Sequence, residues 1–417
     1  MKLRNSEILT LLMLVAPTAL MLQSCCCHVR ETVDEEEHIE QPSIMMGVAS
    51  AGTKAVIDGS DANARLANMV GQCFTGTPAT LKQNAGFGVY SYKSTTGNPT
   101  ILFDNEQVHP DPEYNENSPE STPWTYSPTR FWDMTSNYQF IAYWPYTIVT
   151  YTTNSEDKGC VEVETDNNGT HTLTFHNIPN WQQIRDTDGD GDVDADDGTV
   201  GIAEETDYMT STETGYYGED FPDGIVNFKF HHLLSQLIVK AYYINGSNTA
   251  TTDGVFINKI TLERSGDAND VPALDGKTNF THVFGATLAT AGTITYAESS
   301  TILNLAEANA RPVAWKNEWV SSPNFAPSVI GRWLMVPHVW NGIKIKVSHK
   351  DDNTGYKNSD PIEITLGKQE DDYATLPGKT YIITLIINVA NGGITVADIA
   401  VRDWLEPQKA IKEVYNW

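Results

Sequence analysis

What most constrains this chain is its punctuation: short runs of β-branched and aromatic residues, repeatedly broken by Gly, Pro, Asn and Asp. Such runs fit pleated backbone, and the turn residues end them before a helical period is established. Segments 87–92, 138–144, 171–175, 228–243, 255–262, 343–347, 362–366, 381–389 and 394–401 are therefore predicted strands. Between the last two stands Asn391-Gly392-Gly393, a tight-hairpin signature. The crossover helices that parallel sheets usually need are not evident, so packed antiparallel sheets are expected. In the last strand Ile394 and Val396 share one parity and Ile399 and Val401 the other, which predicts a bulge or bend that turns the apolar face.

A length of 417 residues suits two domains, with the division expected in the polar stretch 245–249, which also reads as an ordinary loop. The formal charge of −27 accompanies a hydrophobic fraction of 40%, so the acidity belongs to a folded surface and argues against nucleic acid as a partner. Trp124, Trp132 and the aromatic run 138–144 read as core. His231 and His232 adjoin on a predicted strand and so face opposite ways, against a shared metal site. Motifs of the HExxH, GxSxG and phosphate-loop kinds are absent from the sequence, and no enzymatic activity is expected.

The first 24 residues read as an address. Lys2 and Arg4 precede an apolar run, 8–22, that is short for a membrane span. Leu22-Gln23-Ser24-Cys25 then resembles a lipobox, which implies a diacylglycerol on Cys25 and cleavage just before it. An acidic run over 33–40 resembles the signal that directs lipoproteins to the outer face in Bacteroidales. Cys26 and Cys27 have no physical role that the sequence explains. Cys73 and Cys160, the cysteines beyond this region, suit a disulfide without requiring one.

The sharpest local chemistry is an acidic insertion, 186–197. Counted from Asp186, acidic residues fall at positions 1, 3, 5, 7, 9 and 12 (Asp186, Asp188, Asp190, Asp192, Asp194 and Asp197), with Gly191 at 6. Ca²⁺ takes oxygen ligands in a tight loop, and glycine at position 6 permits the turn. Asp188 and Asp190 ligate by side chain in this reading, Asp192 by its carbonyl, and Asp194 directly or through water. Asp197 stands where EF-hands carry Glu, as in the calcium loops of dockerins, but no second loop and no flanking helices are predicted.

The order of local patterns resembles the Mfa-like fimbrillin family of Bacteroidales, whose members build type V pili. Thr53-Lys54-Ala55, Phe87-Gly88-Val89-Tyr90, Trp124-Thr125-Tyr126-Ser127-Pro128 with Phe131-Trp132, Phe140-Ile141-Ala142-Tyr143-Trp144-Pro145, Phe230-His231-His232-Leu233-Leu234-Ser235-Gln236-Leu237, Gly378-Lys379-Thr380-Tyr381 and Asp403-Trp404 carry the likeness. It implies an all-β fold of two tandem transthyretin-like β-sandwich domains. These follow an arm over 25–54 and occupy 55–245, which holds the insertion, and 246–417. It implies a structural or adhesive pilus subunit at the outer membrane and fimbrium, with a host protein or glycan as a conceivable ligand. Assembly is then by strand exchange with other subunits: a trypsin-like protease cuts after Lys54, releasing a first strand near 44–49, and a neighbour's C-terminal segment replaces it. Residues 405–417 fit that donor role or an ordered tail. The competing reading is a surface glycan-binding lipoprotein, which a row of exposed Trp315, Trp319 and Trp340 would favour.

Overall fold

The computed structural model describes residues 41–48, 86–95, 99–111, 124–147, 151–152, 159–184, 206–265, 270–351, 355–366 and 373–403, which lie in one compact unit. Eighteen strands of three or more residues carry the described chain. The first nine are β1 (Met45–Val48), β2 (Phe87–Ser94), β3 (Thr100–Pro110), β4 (Asn137–Trp144), β5 (Val161–Thr165), β6 (His171–Pro179), β7 (Trp181–Ile184), β8 (Met209–Tyr216) and β9 (Ile225–Phe228). The rest are β10 (Ser235–Ile244), β11 (Val255–Arg264), β12 (Lys277–Val283), β13 (Ser299–Asn304), β14 (Ser328–Met335), β15 (Ile343–Asp351), β16 (Ile362–Ile364), β17 (Lys379–Asn388) and β18 (Gly393–Asp403). The all-β expectation holds.

The first sandwich centres on a sheet ordered His231–His232, β8, β4, β2, β3, Trp124–Thr125. Both of its faces are covered, which explains the near-continuous apolar run of β4. Tyr138, Phe140, Ala142 and Trp144 join one core with Phe87, Trp132 and the pair β1–β9. Ile141 and Tyr143 face the other way, onto Leu173, Phe175 and Phe280 of a second sheet ordered Thr290–Ala291, β12, β6, β5. The second sandwich packs a sheet ordered β18, β17, β10, β14, β7 against one built on β13, β11 and β15, with β16 on the edge of β15.

Two expectations need correction. The sheets are not purely antiparallel: β10 pairs in parallel with β17 from Gln236↔Thr380 to Ile244↔Asn388, and β1 pairs in parallel with β9. The return from β10 to β17 runs through the facing sheet, through β12 in the first sandwich and through β14 of the same sheet, so sandwich strands do the work of a crossover helix. The run 228–243 is also not one strand, because it feeds three cores in turn. Phe228 and Phe230 belong to the first, Leu233 and Leu234 to the second, and Leu237 and Val239 to the third. The polar stretch 245–249 is the turn from β10 to β11, two strands that face one core.

The hairpin and the bulge are where the sequence put them. Gly392, at φ 71°, donates its N–H to the Asn388 carbonyl (2.7 Å) in the turn between β17 and β18. Thr384 pairs with Asp398 and Leu385 with Val396, so Ala397 is the extra residue. Ile394, Val396 and Ile399 consequently all pack on the core.

The sandwiches are joined by strand, since β6 passes into β7 through the fully buried Asn180. Its N–H donates to Gly276 O (2.9 Å) and its carbonyl accepts from Val336 N (3.0 Å). The side-chain Nδ2 donates to Thr295 O (2.9 Å) and Ala273 O (3.3 Å), and Oδ1 accepts from Thr278 Oγ1 (2.7 Å). Asn180→Ala strands two buried groups, Ala273 O and Thr278 Oγ1, and the partly buried Thr295 O, so a loss of about 2 to 3 kcal/mol is predicted. Urea unfolding measures it, and a loss under about 1 kcal/mol would show the hub to be dispensable.

Candidate functional site at the first strand

The predicted first strand is present as β1, and its placement singles it out. Ile44, Met46 and Val48 point into the first core. On one side Met45–Val48 runs parallel to Ile225–Phe228. On the other, Ile44 N–H donates to Arg130 O (2.8 Å) and Trp132 N–H to Pro42 O (3.0 Å). The Tyr126 hydroxyl donates to Ile44 O (2.6 Å), and burial pushes its pKa up to about 12, so it stays a donor at any physiological pH. Trp132 Nε1–H bonds Gly224 O (3.1 Å), whose lone pairs also take Met45 N–H (2.9 Å). Phe221 stacks on Trp132 at 5.2 Å and Phe140 meets it edge-on at 6.0 Å, forming an aromatic floor.

The strand therefore fills a cleft between β9 and the segment 124–132. At about 2 kcal/mol for each buried side chain, Met46 and Val48 of the strand together with Ile44 just before it contribute about 6 kcal/mol. Sequence reasoning found β1 but read Trp132 only as core and missed Tyr126. The available signal was the density of aromatics across 124–132, a segment without strand alternation.

Cys25, Lys54, Cys73, the ligand series Asp186 to Asp197 and the tail 405–417 lie outside the described residues. The flanks of the insertion are described. β7 precedes it, and the Gln182 side chain holds the far flank by both backbone groups of one residue: Nε2 donates to Thr206 O (3.0 Å), and Oε1 accepts from Thr206 N (2.6 Å). Cys160 is fully buried.

Of the three tryptophans that would distinguish a glycan-binding face, Trp340 is buried, Trp315 packs partly buried against the third core, that of the second sandwich, and Trp319 stands 72% exposed. They form no row. His231 and His232 do not meet in one site, since His232 Nδ1 pairs with Asp207 Oδ2 at 2.6 Å. Among the described residues no cluster of three or more His, Cys, Asp or Glu is placed to hold a metal.

The fimbrillin-like family profile matches residues 75–404. The chain belongs to the fimbrillin-like family. A fimbrial protein from Bacteroides vulgatus shares its fold, with 18% identity, a TM-score of 0.50, and coverage of 87% of this chain and 99% of that one. A putative cell adhesion protein from Bacteroides uniformis aligns at 14% identity and a TM-score of 0.40, covering 78% and 94%. The tip fimbrial protein Mfa3 from Porphyromonas gingivalis aligns at 10% and 0.30, covering 77% and 94%. No curated protein matches.

Buried histidines give this fimbrillin-like chain a directed pH response. His338 donates from Nδ1 to Val336 O (2.9 Å), while its Nε2 and Trp340 Nε1 are buried with no partner among the described residues. A second ring proton has no acceptor there, and burial pulls the His338 pKa down to about 4. Burial likewise lowers His171, His231, His282 and His349. The unfolded chain takes up these protons first, so stability is intact above about pH 6.5 and is lost as pH falls towards 4. His338 alone accounts for about 3 kcal/mol at the acid end. Urea midpoints should fall steadily from pH 7 to 4.5, and less steeply for His338→Leu; identical slopes would refute this origin.

Proposed function

We propose that the chain is a structural or adhesive subunit of a cell-surface pilus, made as a lipoprotein on Cys25 and assembled by protease-triggered strand exchange. The observation that carries this reading is β1. With Ile44 just before it, β1 supplies three side chains to the first core, yet among the described residues it pairs with a single strand, β9. Lys54 follows β1 and precedes β2 in the sequence, so a cut there leaves β1 held by non-covalent contacts alone. An incoming strand can then restore the same ladder and fill the same positions. Residues 405–417 of a neighbouring subunit are the donor in this scheme. The lipid holds the precursor at the outer membrane until the cut.

Mass spectrometry of precursor and fibre tests it. The precursor should carry lipid on Cys25, and fibre subunits should begin at Ala55. Lys54→Ala should yield a folded monomer that does not enter fibres. Fibres built from that variant with β1 still attached would sink the exchange mechanism.

We further propose that 186–197 binds one Ca²⁺, which orders the insertion locally. The support is the ligand spacing and the repulsion among closely spaced carboxylates that a cation relieves. Asp190→Ala removes a ligand and should abolish tight binding in calorimetry; equal affinity in variant and wild type would remove the site.

A further inference from the structure

The second sandwich ends on a strand with an open side. β18 closes the order of its sheet, and among the described residues no strand pairs with the side turned away from β17. Past the bulge at Ala397, its pairing with β17 is regular from Thr384↔Asp398 to Lys379↔Asp403. Every second residue of 398–403 therefore turns its N–H and C=O outward, along about 20 Å of straight edge. An open edge of this kind is a template for a further strand, and proteins that must keep one unpaired shorten, cover or bend it. The bulge of β18 lies before this stretch and leaves it straight.

The side chains narrow what that strand is. Alternation puts Asp398, Ala400 and Arg402 on the outer face of the sheet, and Ile399 and Val401 on the face turned to the core. Ile399 packs against that core, whereas Val401 is 50% exposed. Asp398 and Arg402 are both exposed. The hairpin 379–403 holds four charged residues, Lys379, Asp398, Arg402 and Asp403, which sum to zero in a chain of net charge −27. Lys379 and Asp403 stand opposite each other within the hairpin, and on β16 Glu363 stands opposite Lys344.

The edge is complementary to itself. Two copies of β18 paired edge to edge run antiparallel about a twofold axis, and because opposed side chains share a face, that axis passes through one residue. With the axis at Ala400, Asp398 of each copy stands opposite Arg402 of the other, and Ile399 opposite Val401. Directly opposed side chains are the ones that favour or oppose a strand pairing. An axis at Asp398 or at Arg402 sets like charges against each other. An axis at Ile399 or Val401 sets each of these two charges against an apolar residue.

We propose that the occupant of this edge is a second copy of the chain, joined side by side through β18, antiparallel about Ala400, so that the two sheets run on as one. Main-chain hydrogen bonds and the Ile399–Val401 contacts hold the pair, and the two Asp398–Arg402 pairs fix its register. The contact is the same patch on both copies and closes at two, so it does not lengthen a fibre. It uses neither the β1 cleft nor a cut at Lys54, and it stands or falls apart from the pilus reading.

Oxidative cross-linking on cells producing the full chain tests it. At the axis of an antiparallel pair the two Cα atoms stand about 4.5 or 5.5 Å apart, inside the span of about 4.4 to 6.8 Å that a disulfide bridges. Ala400→Cys should therefore give a disulfide-linked dimer, absent from wild type, in which position 400 of one copy is joined to position 400 of the other. Thr395→Cys is exposed on the same strand but lies about 30 Å from its counterpart, and should give none. In the Ala400→Cys chain, Arg402→Asp should cut the dimer yield about tenfold by setting like charges opposite. Adding Asp398→Arg should restore it, which separates a lost contact from a lost fold. No dimer from Ala400→Cys, an equal yield from Thr395→Cys, a loss that Asp398→Arg leaves uncorrected, or a cross-link to a different protein would overturn the pairing.

Discussion

The architecture depends on one satisfied side chain. Asn180 lies where a single extended segment leaves one sheet and enters another, a point at which backbone groups would otherwise lose their ladder partners inside the protein. Its amide replaces those partners, holding the 273–295 excursion on one side while its carbonyl takes Val336 N–H on the other. Gly276 is part of the same solution, because a Cβ there would collide with Asn180 Nδ2. The excursion then returns β12 to the first sandwich, where Thr278 pairs with Ile178 and Phe280 with Phe175. Each sandwich thus contains a strand from the other half of the sequence. The separation of the two ends is set by strand geometry and not by a linker.

A central sheet buried on both faces has a second consequence. Its outer core needs a cover, and β1 with β9 supplies it. The contribution of Ile44, Met46 and Val48, about 6 kcal/mol, is comparable to the whole stability of an ordinary domain. A cleft of that value cannot stand empty at low cost, since it would expose Phe87, Phe140 and Trp132 to water. In the exchange proposed above, a vacant cleft is therefore avoided only where the newcomer is already partly seated, each pocket passing from one strand to the other.

Much of this was legible in the sequence. Strand positions, the Asn391-Gly392-Gly393 turn and the bulge near Ala397 follow from local alternation, because the period of two is a backbone property. Parallel pairing of β10 with β17 was not legible, since nothing local to either strand records which neighbour it takes. The breakup of 228–243 was hidden for a related reason: its apolar residues are continuous although the cores they serve are not. Trp132 was recognised as buried. Its bond to Gly224 O, which helps hold Met45, depends on residues far apart in the chain. Asn180 gave no signal at all, being one polar residue in a strand-like stretch.

The acidity of the surface bears on what can hold such subunits together. With 54 acidic and 27 basic side chains, two copies repel at distances beyond contact, over a Debye length of about 8 Å at physiological salt. Ion pairs are a poor basis for attraction between like-charged bodies of this kind. Main-chain hydrogen bonds along an inserted strand, as in the proposed exchange, have no such conflict, and salt screens the repulsion while leaving them intact. Ion pairs within the chain such as Lys346–Glu263, at 3.4 Å and partly exposed, are worth little. The surface charge thus selects against casual association, and an exchange at the β1 cleft of the kind proposed is the form of contact it opposes least.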